Sequence, residues 1–194
     1  MNQTELLEEI LLLARQAGSA IMGIYEKDFN VEYKADESPV TDADLAAHKV
    51  IVNGLKHLTP DVPILSEESA DISWEVRQTW QRYWLVDPID GTMNFSRTNP
   101  IFCISVGYVE NGEPIWGLIY NPVLKELIKG SEEGLFLNGN SFTRENITDP
   151  KQAILSTGIP TYLNIDDNGF FQYLSTMKTF KKIRMIGSAA QSVA

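Results

Sequence analysis

Cysteine occurs once in the 194 residues, at Cys103, and histidine only twice. A lone thiol forms no intrachain disulfide, and Cys103 sits inside an apolar run, so it reads as a core residue in a reducing compartment. Two histidines leave little material for a His-rich zinc site. Long hydrophobic runs are missing as well: the longest unbroken one, residues 10–14, is far short of the ~20 residues that a membrane-spanning helix needs. Basic residues are in the minority, 16 against 26 acidic ones, for a net charge of −10. That balance argues against a nucleic acid polymer as partner, because phosphate backbones are gripped by Lys and Arg. It suits a site that recruits cations. A positive n-region is absent too, since Glu5, Glu8 and Glu9 stand where a secretory signal would carry its charge. The expected setting is the cytoplasm, with no membrane partner.

What is present is ordinary for a globular protein, with 43% hydrophobic and 22% charged residues. The length exceeds the ~100–150 residues at which domains cluster and falls short of two complete ones. Leu6, Leu7, Ile10, Leu11, Ala14, Gly18, Ile21 and Met22 recur at three- and four-residue steps, predicting a long amphipathic helix over residues 3–25. Residues 28–34 look extended, with a loop at 35–39. A second helix is expected over 42–58, with Leu45, Ile51, Val52, Leu55 and Leu58 on its buried side. Thr41 stands just before it, and Asp44 three residues on completes a capping-box pattern. Strands are expected at 63–65, 83–86, 101–108, 115–120 and 124–129. Asn111-Gly112 marks a hairpin and Asn138-Gly139 another turn. Past residue 150 the pattern becomes strand (153–157), helix (167–180), strand (182–186) and a helix start at Gly187-Ser188, an α/β alternation with parallel strands. The expected fold class is therefore an α+β layered sandwich, mostly an antiparallel sheet with packed helices, followed by an incomplete α/β unit. The boundaries expected are 1–147 for an N-terminal metal-binding domain and 148–194 for the start of a second one.

The segment Trp84-Leu85-Val86-Asp87-Pro88-Ile89-Asp90-Gly91-Thr92 carries the most chemistry. An apolar strand delivers two carboxylates three positions apart onto a turn shaped by Pro88 and Gly91. Rigid oxygen ligands are what a hard divalent cation such as Mg²⁺ requires, and this turn offers Asp87, Asp90 and the Ile89 carbonyl. Ser66-Glu67-Glu68 ends another strand and can bring a further carboxylate to the same edge. Each piece also has a plain structural reading: Asp-Pro and Asp-Gly as turn dipeptides, Glu67-Glu68 as a solvated loop, Asp44 as a helix cap.

Taken together and in order, V-T-D-A-D (residues 40–44), S-E-E (66–68), D-P-I-D-G-T-x-N-F (87–95) and G-S-A-A (187–190) resemble the inositol monophosphatase family of Mg²⁺-dependent, lithium-sensitive phosphatases. The resemblance covers essentially the whole chain and implies the inositol monophosphatase fold. It implies that Glu67, Asp87 and the Ile89 carbonyl hold a first Mg²⁺, that Asp87 bridges to a second one on Asp90, and that Glu67 helps orient water on a third. Thr92 with Asp44 would polarise the attacking water. Gly91, Thr92, Gly187, Ser188 and Ala189 would meet the phosphate or the substrate, and Lys34 matches the family's lysine loop. The implied activity is hydrolysis of a small phosphomonoester by attack of a metal-activated water, with a homodimer as the implied assembly.

Full members of the family continue past G-S-A-A to a W-D motif whose aspartate completes the second metal site. The chain ends at Ala194, so weakened second-metal binding and little activity are expected of it. The first half, through W-E-V-R-Q-T-W-Q-R-Y-W-L-V-D-P, is similar to the bisphosphate nucleotidase branch, which acts on 3′-phosphoadenosine 5′-phosphate. M-N-F after the motif, N-P-V-L and F-L-N-G-N are similar to the inositol 1-phosphate branch. Two rivals stand beside this reading. One is a non-catalytic metal-binding or interaction protein. The other is a haloacid dehalogenase-like phosphatase, whose D-x-D-G-T motif has one residue fewer between its aspartates; the extra residue is expected to turn Asp90 to the other face of the strand.

Overall fold

The computed structural model describes residues 3–27, 29–33, 39–69, 71–156, 169, 172, 178–184 and 186–193. Helix α1 (Gln3–Tyr25) and helix α2 (Asp42–Leu58) have the bounds that the apolar spacing predicts. Thr41, in extended conformation, caps α2: its hydroxyl accepts from the Ala43 and Asp44 amides, while Asp44 Oδ2 accepts from the Thr41 amide at 2.8 Å and the Thr41 hydroxyl at 2.5 Å. One expectation fails inside α2. Leu45 is 52% exposed, and the buried stripe is Ala43, Ala47, Ile51, Val52 and Leu55. Position 45 lies two residues, about 200°, out of phase with 43 and 47 on a 3.6-residue helix, so its size does not bring it inward.

Between the helices, β1 (Val31–Tyr33) and β2 (Pro39–Thr41) pair antiparallel. The main sheet has seven strands in the order β3 (Ile64–Ser66), β4 (Arg82–Asp90), β5 (Cys103–Glu110), β6 (Glu113–Asn121), β7 (Glu126–Ser131), β8 (Gly134–Leu137) and β9 (Asn140–Phe142). Only β3 and β4 are parallel; every later pair is antiparallel. The hairpin signals fall where the composition puts them. Asn111 and Gly112 have φ of 52° and 82°, and Asn138 and Gly139 50° and 84°, the double positive φ of a two-residue hairpin loop. Strands β8 and β9 flank the second of these turns, and short helices α3 (Trp74–Arg77) and α4 (Thr92–Ser96) also form. These four elements are too short for a periodicity to show.

One face of the sheet packs against α1 and α2. Trp84, Val86, Ile104, Val106, Trp116 and Leu118 meet Ile10, Ala14, Ile21, Ala47, Ile51 and Leu55 in one core. Phe95 of α4 enters the same core, with ring centroids 5.3 Å from Tyr25, 4.8 Å from Phe29 and 5.2 Å from Phe102. These aromatic contacts bind the segment after Asp90 to the body of the protein. The other sheet face carries Leu65, Glu67, Leu85, Asp87 and Ser105, so these two carboxylates start from the side away from α1.

Beyond this sheet, β10 (Ile154–Ser156) and β11 (Lys182–Arg184) pair in parallel, as the α/β alternation predicts. The helix expected over 167–180 lies mostly outside the described residues; Gly169 and Gln172 are helical, and 178–180 form a turn and bend. A last helix, α5 (Ala189–Val193), follows Gly187-Ser188.

Candidate active site

The run from Asp87 to Asp90 is not a free turn but the end of β4, and the pairing shows how it is built. Asp87 pairs with Ser105 and Asp90 with Cys103, so three steps on β4 answer two on β5. One extra residue is absorbed as a bulge. In a regular strand, residues three apart point to opposite faces. The bulge resets the phase, and both aspartates fall on the side marked by Ser105 and Cys103. The expectation that an extra residue sends Asp90 to the far face is thus corrected. Pro88 and Ile89 are both buried, with Ile89 1% exposed, which anchors the bulge in the core.

Glu67 reaches the same place from β3. Its amide donates to the Val86 carbonyl at 3.0 Å, extending the parallel ladder by one residue, and its side chain is in hydrogen-bond contact with that of Asp87. Burial first, then the charges of Glu67, Asp90 and Asp44, push the Asp87 carboxyl up to about 8. Carboxylates from three separate segments of the chain therefore act on Asp87 here. Asp87 Oδ1 is buried without a hydrogen-bond partner.

The opposite wall is made by α2 and α4. Gly91 holds φ at 97° ahead of α4, where a Cβ would lie 3.0 Å from the Ile101 carbonyl and 3.2 Å from that of Gly187. Glycine is required there on both grounds. The Thr92 hydroxyl lies 3.1 Å from Asp44 Oδ1 and 3.0 Å from the Ile89 carbonyl. Asp44 is 1% exposed. Burial raises its pKa, while hydrogen bonds from Thr41 and Thr92 pull it back. One helical turn after Asp44, His48 Nδ1 is 2.9 Å from the buried Ser66 hydroxyl, so the same helix also fixes the strand that ends in Glu67.

Asp90 faces the start of α5. It accepts from the Ser188 hydroxyl at 2.5 Å, the Ala189 amide at 3.2 Å and the Ala190 amide at 2.8 Å. Of the residues predicted to meet phosphate, Gly91, Thr92, Gly187, Ser188 and Ala189 are brought together here, and the Ala189 donor is engaged by Asp90. Lys34 lies outside the described residues. Sequence reasoning missed Asn94, whose side-chain amide donates to the carbonyls of Ile101 at 2.7 Å and Ile186 at 2.8 Å and so ties the motif loop to the last segment. The M-N-F triplet held that signal. Cys103 is fully buried as expected, within 3.8 Å of both Asp90 Oδ2 and the Ser188 hydroxyl, and burial followed by the Asp90 charge pushes its thiol up to about 12.

Among the described residues, no three His, Cys, Asp or Glu side chains already stand in a metal-binding arrangement. The Asp90 oxygens are engaged by Ser188 and by the first two amides of α5. The donor set nevertheless fits a hard cation on three counts: it is all oxygen, Asp87 Oδ1 lacks a partner, and Asp87 is raised first by burial and then by carboxylate repulsion that a cation would offset. Among the described residues no helix is long and apolar enough to cross a membrane.

A layered α+β body with a bulged strand that gathers carboxylates beside a threonine–aspartate pair defines the class of this domain. The chain belongs to the inositol monophosphatase family, whose sequence model matches residues 2–194. It is 52% identical over 129 residues to the 3′(2′),5′-bisphosphate nucleotidase CysQ of Salmonella typhimurium, an alignment covering 66% of this chain and 52% of that protein. The chain thus spans about half the length of the curated relatives it matches. Among solved structures it is similar to a Thermotoga maritima IMPase, with 33% identity and a TM-score of 0.80 over 95% of this chain and 69% of that one. The extragenic suppressor protein suhB of Bartonella henselae superposes with a TM-score of 0.85 at 28% identity, over 97% and 73% of the two chains. This membership sets aside the haloacid dehalogenase-like reading.

Proposed function

We propose that the chain is a divalent-metal-dependent hydrolase of small phosphomonoesters, with nucleoside 3′(2′),5′-bisphosphates as the leading substrate class and inositol 1-phosphate as the second. The observation that carries this reading is the convergence of Glu67, Asp87, Asp90 and Asp44, with the rise of Asp87 to about 8 as its electrostatic mark. The 52% identity to a CysQ nucleotidase favours the bisphosphate.

Glu67, Asp87, the Ile89 carbonyl and Asp90 would hold two to three Mg²⁺ ions, Asp90 exchanging its hydrogen bonds to α5 for the ion. When bound, Mg²⁺ supplies positive charge that makes water more acidic and neutralises phosphoryl oxygens. The protein's own part follows from the geometry. The Thr92 hydroxyl donates to Asp44 Oδ1, so Thr92 Oγ1 can take a proton from a water while its own proton passes to the Asp44 carboxylate. Burial of Asp44 keeps this relay dry and makes its carboxylate a stronger base than an exposed one. The Gly91 and Thr92 amides and the 187–189 segment meet the phosphoryl group and its ester, with Lys34 as a further phosphate contact. Residues 1–147 form the metal-binding domain in this reading, and 148–194 begin the second. A homodimer in the cytoplasm belongs to the same reading.

The test is phosphate release from adenosine 3′,5′-bisphosphate and from inositol 1-phosphate by the 194-residue chain with and without Mg²⁺. Slow, Mg²⁺-dependent release that disappears in Asp87→Asn is expected. Thermal stabilisation by Mg²⁺ with no release from either compound would replace hydrolysis by metal binding alone.

A further inference from the structure

A second pocket adjoins the acidic site and contains a base that the proposed hydrolysis does not use. It has a volume of about 410 Å³ and is lined by Glu67 and Asp87 of the site together with Ser69, Asp71, Arg77 and Ser105. That volume suits part of a small metabolite. Arg77 ends the short helix α3, on the connection that links the parallel strands β3 and β4 and so passes over the edge where Glu67 and Asp87 meet. The helix is held by backbone hydrogen bonds, including Gln78 N to Trp74 O at 2.9 Å and Arg77 N to Ser73 O at 3.0 Å. The base is thereby presented from an ordered turn.

Arg77 is the only basic side chain among the described residues lining this pocket, and its Nε is buried without a hydrogen-bond partner. Buried guanidinium N–H groups are normally satisfied, and an unsatisfied one asks for an explanation. The planar fork of arginine matches phosphate or sulfate with two parallel hydrogen bonds, which lysine cannot supply. Asp71 on the same wall is exposed, so water screens its repulsion.

We infer that Arg77 binds the second anionic group of a doubly anionic substrate, while the group to be hydrolysed lies at Gly91 and Thr92 beside the cation ligands Glu67 and Asp87. This rests on the proposed phosphatase reading, and it identifies Arg77 as the residue that prefers a bisphosphate over the matching monophosphate. The preference comes from direct recognition of the remote phosphate, without any part in the chemical step.

The experiment compares kcat/KM for adenosine 3′,5′-bisphosphate and adenosine 3′-monophosphate in wild type, Arg77→Gln, Arg77→Lys and, as a control, Arg82→Gln, an exposed base on β4 outside this pocket. The bisphosphate-to-monophosphate ratio is expected to fall roughly 10- to 100-fold in Arg77→Gln, the range of one charged hydrogen-bonded contact. It should fall less in Arg77→Lys and stay at the wild-type value in Arg82→Gln. A parallel loss on both substrates, an unchanged ratio, or an equal change in Arg82→Gln would overturn the assignment. Should Arg77→Gln fail to fold, Arg77→Lys carries the same comparison. If wild type releases phosphate from neither compound, the hydrolase reading fails, and the inference is decided by binding with Mg²⁺ present. A larger thermal shift with the bisphosphate than the monophosphate, lost in Arg77→Gln, supports it; equal shifts in wild type sink it.

Discussion

Ser188 donates its hydroxyl to Asp90 Oδ2 at 2.5 Å, joining residues 98 positions apart. The same carboxylate accepts the first two amides of α5, so the last helix begins on a side chain of the main sheet. Ser188→Ala is expected to lower stability by about 1–2 kcal/mol, since it removes a charge-assisted hydrogen bond at a buried position. Urea unfolding checks the size, and hydrogen exchange over 187–193 checks the place. An unchanged exchange pattern in that segment would mean that Asp90 does not hold it.

Asp87 makes the metal-free protein sensitive to pH. Its carboxyl titrates near 8 in the folded state against 3.8 for the ordinary group. Between those values the native state keeps a proton that the unfolded chain has released, so stability falls as pH rises through the window and levels off above it. Asp87→Asn should flatten this slope and stabilise the metal-free protein above pH 8 by an amount on the order of a few kcal/mol. Urea midpoints at pH 5, 7 and 9 in chelator decide it. Mg²⁺ should then raise the wild-type midpoint and leave that of the variant in place.

Asp44 serves both as the reciprocating member of the capping box and as the acceptor of Thr92, and the two roles separate by measurement. Asp44→Asn is expected to cost about 1 kcal/mol through the cap. It should also reduce phosphate release by about 10²- to 10⁴-fold, the span of a lost proton acceptor. Thr92→Val should show the kinetic loss with an intact cap, and Thr92→Ser should recover most of the rate. Full activity in Asp44→Asn would leave the aspartate as a cap only.

The Cys103 thiol is buried and its pKa is pushed up to about 12, first by burial and then by Asp90. Thiolate is the reactive form, so the native protein should resist alkylation at pH 8 and react at an ordinary rate in urea. Rapid labelling of the folded chain would show that the contact of Cys103 with Asp90 and Ser188 opens easily.

The two faces of α2 should answer differently to truncation. Ile51 is 1% exposed and Leu45 52% exposed. Ile51→Ala is expected to cost about 2–5 kcal/mol through transfer and cavity, and Leu45→Ala at most about 0.5 kcal/mol. Thermal melts of the two variants distinguish core from surface directly.

Helices α1 and α2, the cap at Thr41 and the two Asn-Gly hairpins were legible in the sequence because each depends on neighbours within one or two turns of chain. The acidic motif was legible as chemistry for a related reason: its carboxylates, proline and glycine are contiguous. Leu45 was misread because residue size was allowed to outweigh helical phase. Short elements such as α3, α4, β8 and β9 left no period to detect; β-pairing holds β8 and β9, and the aromatic cluster around Phe95 holds α4.

By itself, then, the chain's order of residues determined the local elements and the list of acidic side chains, since backbone preference and hydrophobic phase act over short range. Only the tertiary structure decided how those side chains are aimed. The bulge opposite Ser105 and Cys103 brings Asp90 to the face of Asp87, the parallel pairing of β3 with β4 brings Glu67 beside it, and α2 sets Asp44 against Thr92. Each of these depends on register between strands or on contact across 20 to 48 positions, which no local spacing encodes.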